Sequence, residues 1–164
     1  MEGDLEAGKF HKKFPDVHIK IINATSIGCV ELLESEKVDI IIVNLPNNHM
    51  GKSLTIKEIH RFKDVFVAND DYKELCDRQM TLKQLLEYPI MMLEHNSTTS
   101  EFLHLLFQKE GLEFVPDYCL TDIDLEELFV VETKKELPER KIAIAYSEQI
   151  PSSSQIKEFL RCFE

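Results

Sequence analysis

The chain has 164 residues, with 19 Lys and Arg against 30 Asp and Glu and a formal charge of −11 at neutral pH. That length lets one domain, or two small lobes, bury a core without disulfide or metal staples. The 43% hydrophobic and 30% charged composition excludes wholesale disorder, and the acidity argues against direct nucleic-acid binding and against adhesion to an anionic membrane surface.

Cys29, Cys76, Cys119 and Cys162 are spread along the chain with no C-x-x-C pair, which excludes a zinc ribbon and a thioredoxin-like motif. An even count leaves two disulfides open on arithmetic alone. Each thiol sits in or beside an apolar segment, however, and reads as reduced and packed, the habit of a cytoplasmic protein. The opening MEGDLEAGKFHKKF has no apolar h-region. Residues 38–45, the longest apolar run, contain Asp39 and Asn44 and are too short to span a bilayer.

Taken in chain order, a short helix holding Phe10 and His11 is stopped by Pro15. Residues 17–22 alternate apolar and polar and predict a strand. It runs into the cap-rich turn Asn23-Ala24-Thr25-Ser26. An amphipathic helix follows, with Ile27, Val30 and Leu33 inward, Leu32 at the margin and Glu31, Glu34 and Glu36 outward. Residues 38–43 form a nearly continuous β-branched run, as in a strand covered on both faces of a parallel sheet. Strand, helix and strand within about 30 residues make a βαβ unit.

Residues 64–68 predict another strand. Residues 81–86 predict a short capped helix that ends before Pro89, and residues 90–93 a buried strand. Residues 101–111 predict a helix with Phe102, Leu105, Leu106 and Leu112 on its apolar side, stopped by Gly111. Residues 118–120, 128–131 and 141–146 are strand-like. A final helix over 152–163 turns Ile156, Phe159 and Leu160 inward.

Catalytic signatures are missing. There is no G-x-S-x-G elbow, P-loop, G-x-G-x-x-G or H-E-x-x-H, and five glycines leave no phosphate cradle. The six histidines do not fall at metal-ligand spacing, so no metal and no cofactor are expected. Asp70-Asp71 and Glu126-Glu127 read as solvated turns rather than as a hydrolase pair.

The most informative cluster is Ser97-Thr98-Thr99-Ser100-Glu101, between an apolar strand and an amphipathic helix. Thr98 and Glu101 have capping-box spacing, so a plain reading is a well-capped helix. Four hydroxyls exceed what capping requires, and a helix N-terminus favours a small anion. Thr25 and Ser26 form a second hydroxyl turn in the same context, and Thr121 and Asp122 a third candidate. In parallel α/β sheets such strand ends form the ligand crevice.

These residues together resemble the effector-binding domain of LysR-type transcriptional regulators. Phe14-Pro15-Asp16-Val17-His18-Ile19 resembles the family's F-x-x-x-x-P-x-V. Residues 32–42 resemble L-x-x-G-x-x-D-[LIV]-[AG]-[LIV], and Asp64-Val65-Phe66-Val67 resembles its d-x-l-v-l-v strand. Thr81, Leu82, Leu85 and Leu86 are similar to its l-x-d-L helix, and Phe107, Gly111 and Pro116 to f-x-x-x-G-x-x-P. Residues 137–142 and 152–160 resemble its terminal strand and helix. The matches cover most of residues 10–163.

The resemblance implies an α/β, type II periplasmic-binding-protein-like fold of two lobes with a cleft between them: residues 1–67 plus 147–164, and residues 68–146. A small effector would bind there, touching Thr25, Ser26, Ser97, Thr98, Thr99, Ser100, Thr121 and Asp122. The signal would pass to a DNA-binding domain. The implied protein is a non-enzymatic, cytoplasmic homodimer or tetramer that meets DNA only through a winged helix-turn-helix not present in this chain, and it does not enter a membrane. The family also places a first strand and hydroxyl turn before Phe10, and a glycine-rich G-x-G-[IV]-x-x-[LIV]-P segment between positions like Asp124 and Leu128. Neither is found, so parts of both lobes are expected to be missing from this sequence. A complete domain of this kind has roughly 200 residues. The rival reading is a solute-binding protein of a transport system, which shares the two-lobed fold. A contiguous helix-turn-helix or a lipoprotein signal in the coding sequence separates the two. A small transferase is a third reading, lacking a nucleophile–base pair.

Overall fold

The computed structural model describes residue 8 and residues 10–92, 95–118, 128–149 and 154–163. The chain divides into two compact units, Met1–His60 with Ile142–Glu164, and Arg61–Lys141.

In the first unit, α1 (Ser26–Glu34) is capped by Thr25, whose side chain accepts from the Gly28 amide. Its 3.6-residue spacing buries Ile27, Val30 and Leu33 as the sequence predicts. Val30 and Leu33 pack against Ile41 and Val43 of β1 (Ile41–Leu45) and against Ala145, with Cys29, Val38, Met50 and Leu54 around them. Burial alternates along β1, and Ile42 is 38% exposed, so this strand is covered on one face rather than the expected two.

A three-stranded sheet has the order β1–β7–β2, with β2 at Leu54–Phe62 and β7 at Arg140–Ser147. The chain leaves the first unit within β2 and re-enters it within β7. Ala143, Ile144 and Ala145 are fully buried, so β7 is the deepest strand. At the chain's two ends, helical residues 10–13 meet α4 (Ser154–Arg161) through Phe10 and Phe159, whose rings lie edge to face at 5.3 Å. Lys13 also pairs with Glu158 at 2.7 Å.

Residues 17–22 depart from the expected strand. They take no helix or strand pairing, and Ile19, Ile21 and Ile22 are exposed. An alternating pattern describes a strand only when a neighbour supplies the ladder bonds, and no described strand does so here.

The second unit holds β3 (Phe66–Ala68), a 3₁₀ segment (Asp70–Leu75), α2 (Leu82–Leu85), β4 (Met91–Met92), α3 (Thr98–Lys109), β5 (Asp117–Tyr118) and β6 (Phe129–Val131). Antiparallel β3 and β6 pair Phe66 with Val131 and Val67 with Val130, while β4 and β5 pair in parallel. Thr81 and Gln84 close a reciprocal capping box on α2.

Two packed clusters support this unit. One joins Leu75, Met80, Leu85 and Val131; the other joins Met92, Leu103, Phe107 and Phe114. Phe107 stacks on Phe114 at 4.5 Å and meets Phe66 edge to face. The inward face of α3 is therefore Leu103 and Phe107, with Phe102, Leu106 and Leu112 beside it and Leu105 exposed. That face is rotated from the expected one because Phe114 returns across the helix. Gly111, at φ +70°, ends α3 in the left-handed region that glycine tolerates. Cys29, Cys76 and Cys162 are free thiols. Cys76 is exposed rather than packed, and Cys119 lies outside the described residues.

Candidate functional site

The first turn of α3 carries the hydroxyl cluster. Ser97, not Thr98, is its N-cap: it is extended at φ −142° and ψ 152°, and its Oγ accepts from the Ser100 amide at 3.1 Å. Thr98 is therefore not the cap that the expected Thr98–Glu101 box requires. Glu101 donates its amide to the Ser97 carbonyl instead. Ser97 wins the cap because Thr98 already has helical backbone and sends its hydroxyl elsewhere.

That destination is Arg140, which no motif pointed to. Its side chain is fully buried. Nη1 donates to Asp64 Oδ2 at 2.9 Å and to Thr99 Oγ1 at 3.0 Å, and Nη2 donates to Thr98 Oγ1 at 3.2 Å. The guanidinium carbon lies 4.9 Å from the Phe102 ring centroid and 5.3 Å from that of Phe62. Nε is buried without a partner among the described residues. Thr98 and Ser100 are buried; Thr99 and Ser97 are half-buried. Asp64 is half-buried and borders an open hollow of about 470 Å³ beside β3 and β6.

The amides of Thr98 and Thr99 have no partner among the described residues. They lie at the positive end of a 12-residue helix that carries Glu101 in its first turn and Lys109 in its last.

The other hydroxyl turn is in the first unit. Thr25 Oγ1 accepts from the Gly28 amide at 3.1 Å, and Ser26 Oγ accepts from the Asn44 amide at 2.9 Å. Asn47 Nδ2 donates to the Ser26 carbonyl at 3.1 Å, which ties the start of α1 to the segment after β1. Thr121 and Asp122 lie outside the described residues. Among the described residues, no group of three His, Cys, Asp or Glu is placed to hold a metal ion, and no helix is long and apolar enough to cross a membrane.

Arg140 stands in an ordinary polar stretch, Pro138-Glu139-Arg140-Lys141, before a strand. Only its complete burial beside Asp64, 76 residues away, distinguishes it from a surface arginine.

The family model of the LysR substrate binding domain matches residues 7–125. The chain belongs to this family.

Solved LysR-type regulator structures share its fold. The CcmR regulatory domain of Synechocystis, solved in complex with 2-PG, is 14% identical with a TM-score of 0.80, over 98% of this chain and 88% of that one. An OxyR2 regulatory-domain variant from Vibrio vulnificus is 12% identical with a TM-score of 0.73, over 98% and 86%. A LysR family transcriptional regulator from Pseudomonas aeruginosa is 13% identical with a TM-score of 0.72, over 98% of this chain but 65% of that one. This chain likewise spans 61% of a full-length BenM variant. No curated protein matches.

At these identities the likeness is one of fold. It is the α/β, type II periplasmic-binding-protein-like fold of LysR effector-binding domains.

Proposed function

We propose that this LysR-family domain senses a small anionic effector and passes its occupancy to a DNA-binding domain carried elsewhere in the regulator, without enzymatic activity. Ser97, Thr98, Thr99 and Ser100 receive the anion, with Thr25, Ser26, Thr121 and Asp122 as further contacts. The observation that carries this reading is that the Thr98 and Thr99 amides, at the positive end of α3, have no partner among the described residues. The hydroxyls of Thr98 and Thr99 accept from Arg140, so each keeps its own O–H to donate. A group rich in donors suits an acceptor-only ligand such as a carboxylate or phosphate. The regulator works in the cytoplasm as a homodimer or tetramer, meets DNA only through its DNA-binding domain and has no membrane contact. Binding acts through differential affinity for two arrangements of the protein.

A thermal-shift comparison of malonate, inorganic phosphate and neutral malonamide at matched ionic strength tests the effector class. Saturating anion at about 100 times its Kd adds about 2.7 kcal/mol of stability. Malonate or phosphate is expected to raise Tm and malonamide to leave it unchanged, with the shift reduced in Ser97→Ala and Thr99→Ala. If no anion stabilises the chain, or both variants respond as the parent does, the assigned contacts are wrong.

A further inference from the structure

Arg140 touches three separate segments at once. Phe62 is the last residue of β2, and Asp64 follows two positions later. Arg140 is the first residue of β7. Thr98, Thr99 and Phe102 belong to the opening of α3. The outgoing crossing strand, the returning crossing strand and the start of α3 therefore meet on one guanidinium. All the contacting residues lie within the Arg61–Lys141 unit.

We infer that Arg140 is the positioning residue of the effector response, tying the Ser97–Ser100 turn to the two strands by which the chain passes between its units. The inference rests on the effector reading above and adds the route by which the turn is felt elsewhere. The physical basis is that the guanidinium is buried and charged. Moving any one partner away strands that charge in a medium that does not solvate it, so the three segments shift together. The orphaned Nε means that the group is already one acceptor short among the described residues, so losing another deepens an existing deficit.

Hydrogen exchange on the ligand-free 164-residue chain tests this by a mutant cycle. Ser97→Ala loosens the turn. In the parent background it is expected to lower protection about fivefold, the effect of a lost N-cap, at the amides of the first turn of α3 and also at residues 142–146 of β7. In the Asp64→Leu/Arg140→Met background, α3 still loses protection while β7 no longer responds. Arg140→Lys, which keeps the charge and loses the fork, is the second background and gives the same decoupling if the double variant does not fold.

An equal fall at β7 in both backgrounds is additivity and overturns the inference, because a merely structural Arg140 behaves that way. A fall that extends equally to α1 reports whole-chain opening and overturns it too, as does an unchanged β7 in the parent. No ligand is added, so failure of the anion reading in the thermal-shift test leaves this outcome separate.

Discussion

Arg140 and Asp64 form an ion pair of 2.9 Å in which the arginine side chain is fully buried and the aspartate keeps one edge toward solvent. The pair closes 76 residues of chain, including every described helix of the second unit. Removing one partner of such a pair costs more than removing both, because the remaining charge is left without compensation.

Asp64→Leu, which leaves the fully buried Arg140 charge without its carboxylate, is therefore expected to destabilise the chain by about 3–5 kcal/mol. Asp64→Leu combined with Arg140→Met should cost clearly less than the sum of the single changes. Urea denaturation midpoints of the four proteins check this. Additive losses would mean that the pair is not energetically coupled.

Phe107 is completely buried between Phe114 and Phe66. Phe107→Ala leaves a cavity under α3 and is expected to cost about 3–5 kcal/mol. Phe107→Leu should recover much of it. Thermal unfolding followed by circular dichroism distinguishes the two, and near-equal losses would show that ring stacking outweighs volume.

Thr81 accepts the Gln84 amide, and Gln84 Oε1 accepts the Thr81 amide at 2.9 Å. Thr81→Ala removes the hydroxyl arm of the box on a four-residue helix, while the Thr81 amide still donates to Gln84, and is expected to cost about 1 kcal/mol. Chemical denaturation reads the loss. Thr81→Ser should restore it, and a serine variant as weak as the alanine one would assign the effect to the lost methyl.

The Glu158 carboxyl is held below its usual range, first by the hydrogen bond from Lys13, which outweighs the opposing effect of burial, with Arg161 adding a lesser charge attraction. Its stabilising contribution is complete above the ordinary glutamate range and disappears as pH falls through the lowered folded value. Glu136 behaves in the same direction through Lys63. Tm measured from neutral to acid pH should fall less steeply in Lys13→Met than in the parent. Added salt should shrink the difference, because both pairs are exposed. Identical acid slopes would show that Lys13 is not the source.

Cys76 is exposed, whereas Cys29 is half-buried and its thiol is pushed above its ordinary value by burial. Iodoacetamide under native conditions should alkylate Cys76 well before Cys29. Peptide mapping over a time course checks the order, and faster reaction at Cys29 would contradict its burial.

Much of the fold is legible in local pattern. Ile27, Val30 and Leu33 fall at helical spacing and are all buried, and residues 81–86 read as a short capped helix, which Thr81 caps. These features depend on residues three or four positions apart, whose geometry is set by the helix itself. Residues 17–22 fail for the opposite reason. Their alternation is a local property, but a strand exists only if a distant segment supplies its ladder. The face of α3 also shifted, toward Leu103 and Phe107, because Phe114 folds back onto it.

By itself the sequence determined the α/β pattern, the family and the position of the hydroxyl turn that opens α3. Repeat spacing, caps and motif order are written in neighbouring residues. Only the tertiary structure decided that Ser97 caps α3, and that the hydroxyls of Thr98 and Thr99 serve a buried arginine about 40 residues further on. Arginine carries the same letter on a surface and in a core. What separates the two is whether the folded chain brings a carboxylate, two hydroxyls and two aromatic faces to one guanidinium, and that depends on contacts between residues far apart in the sequence.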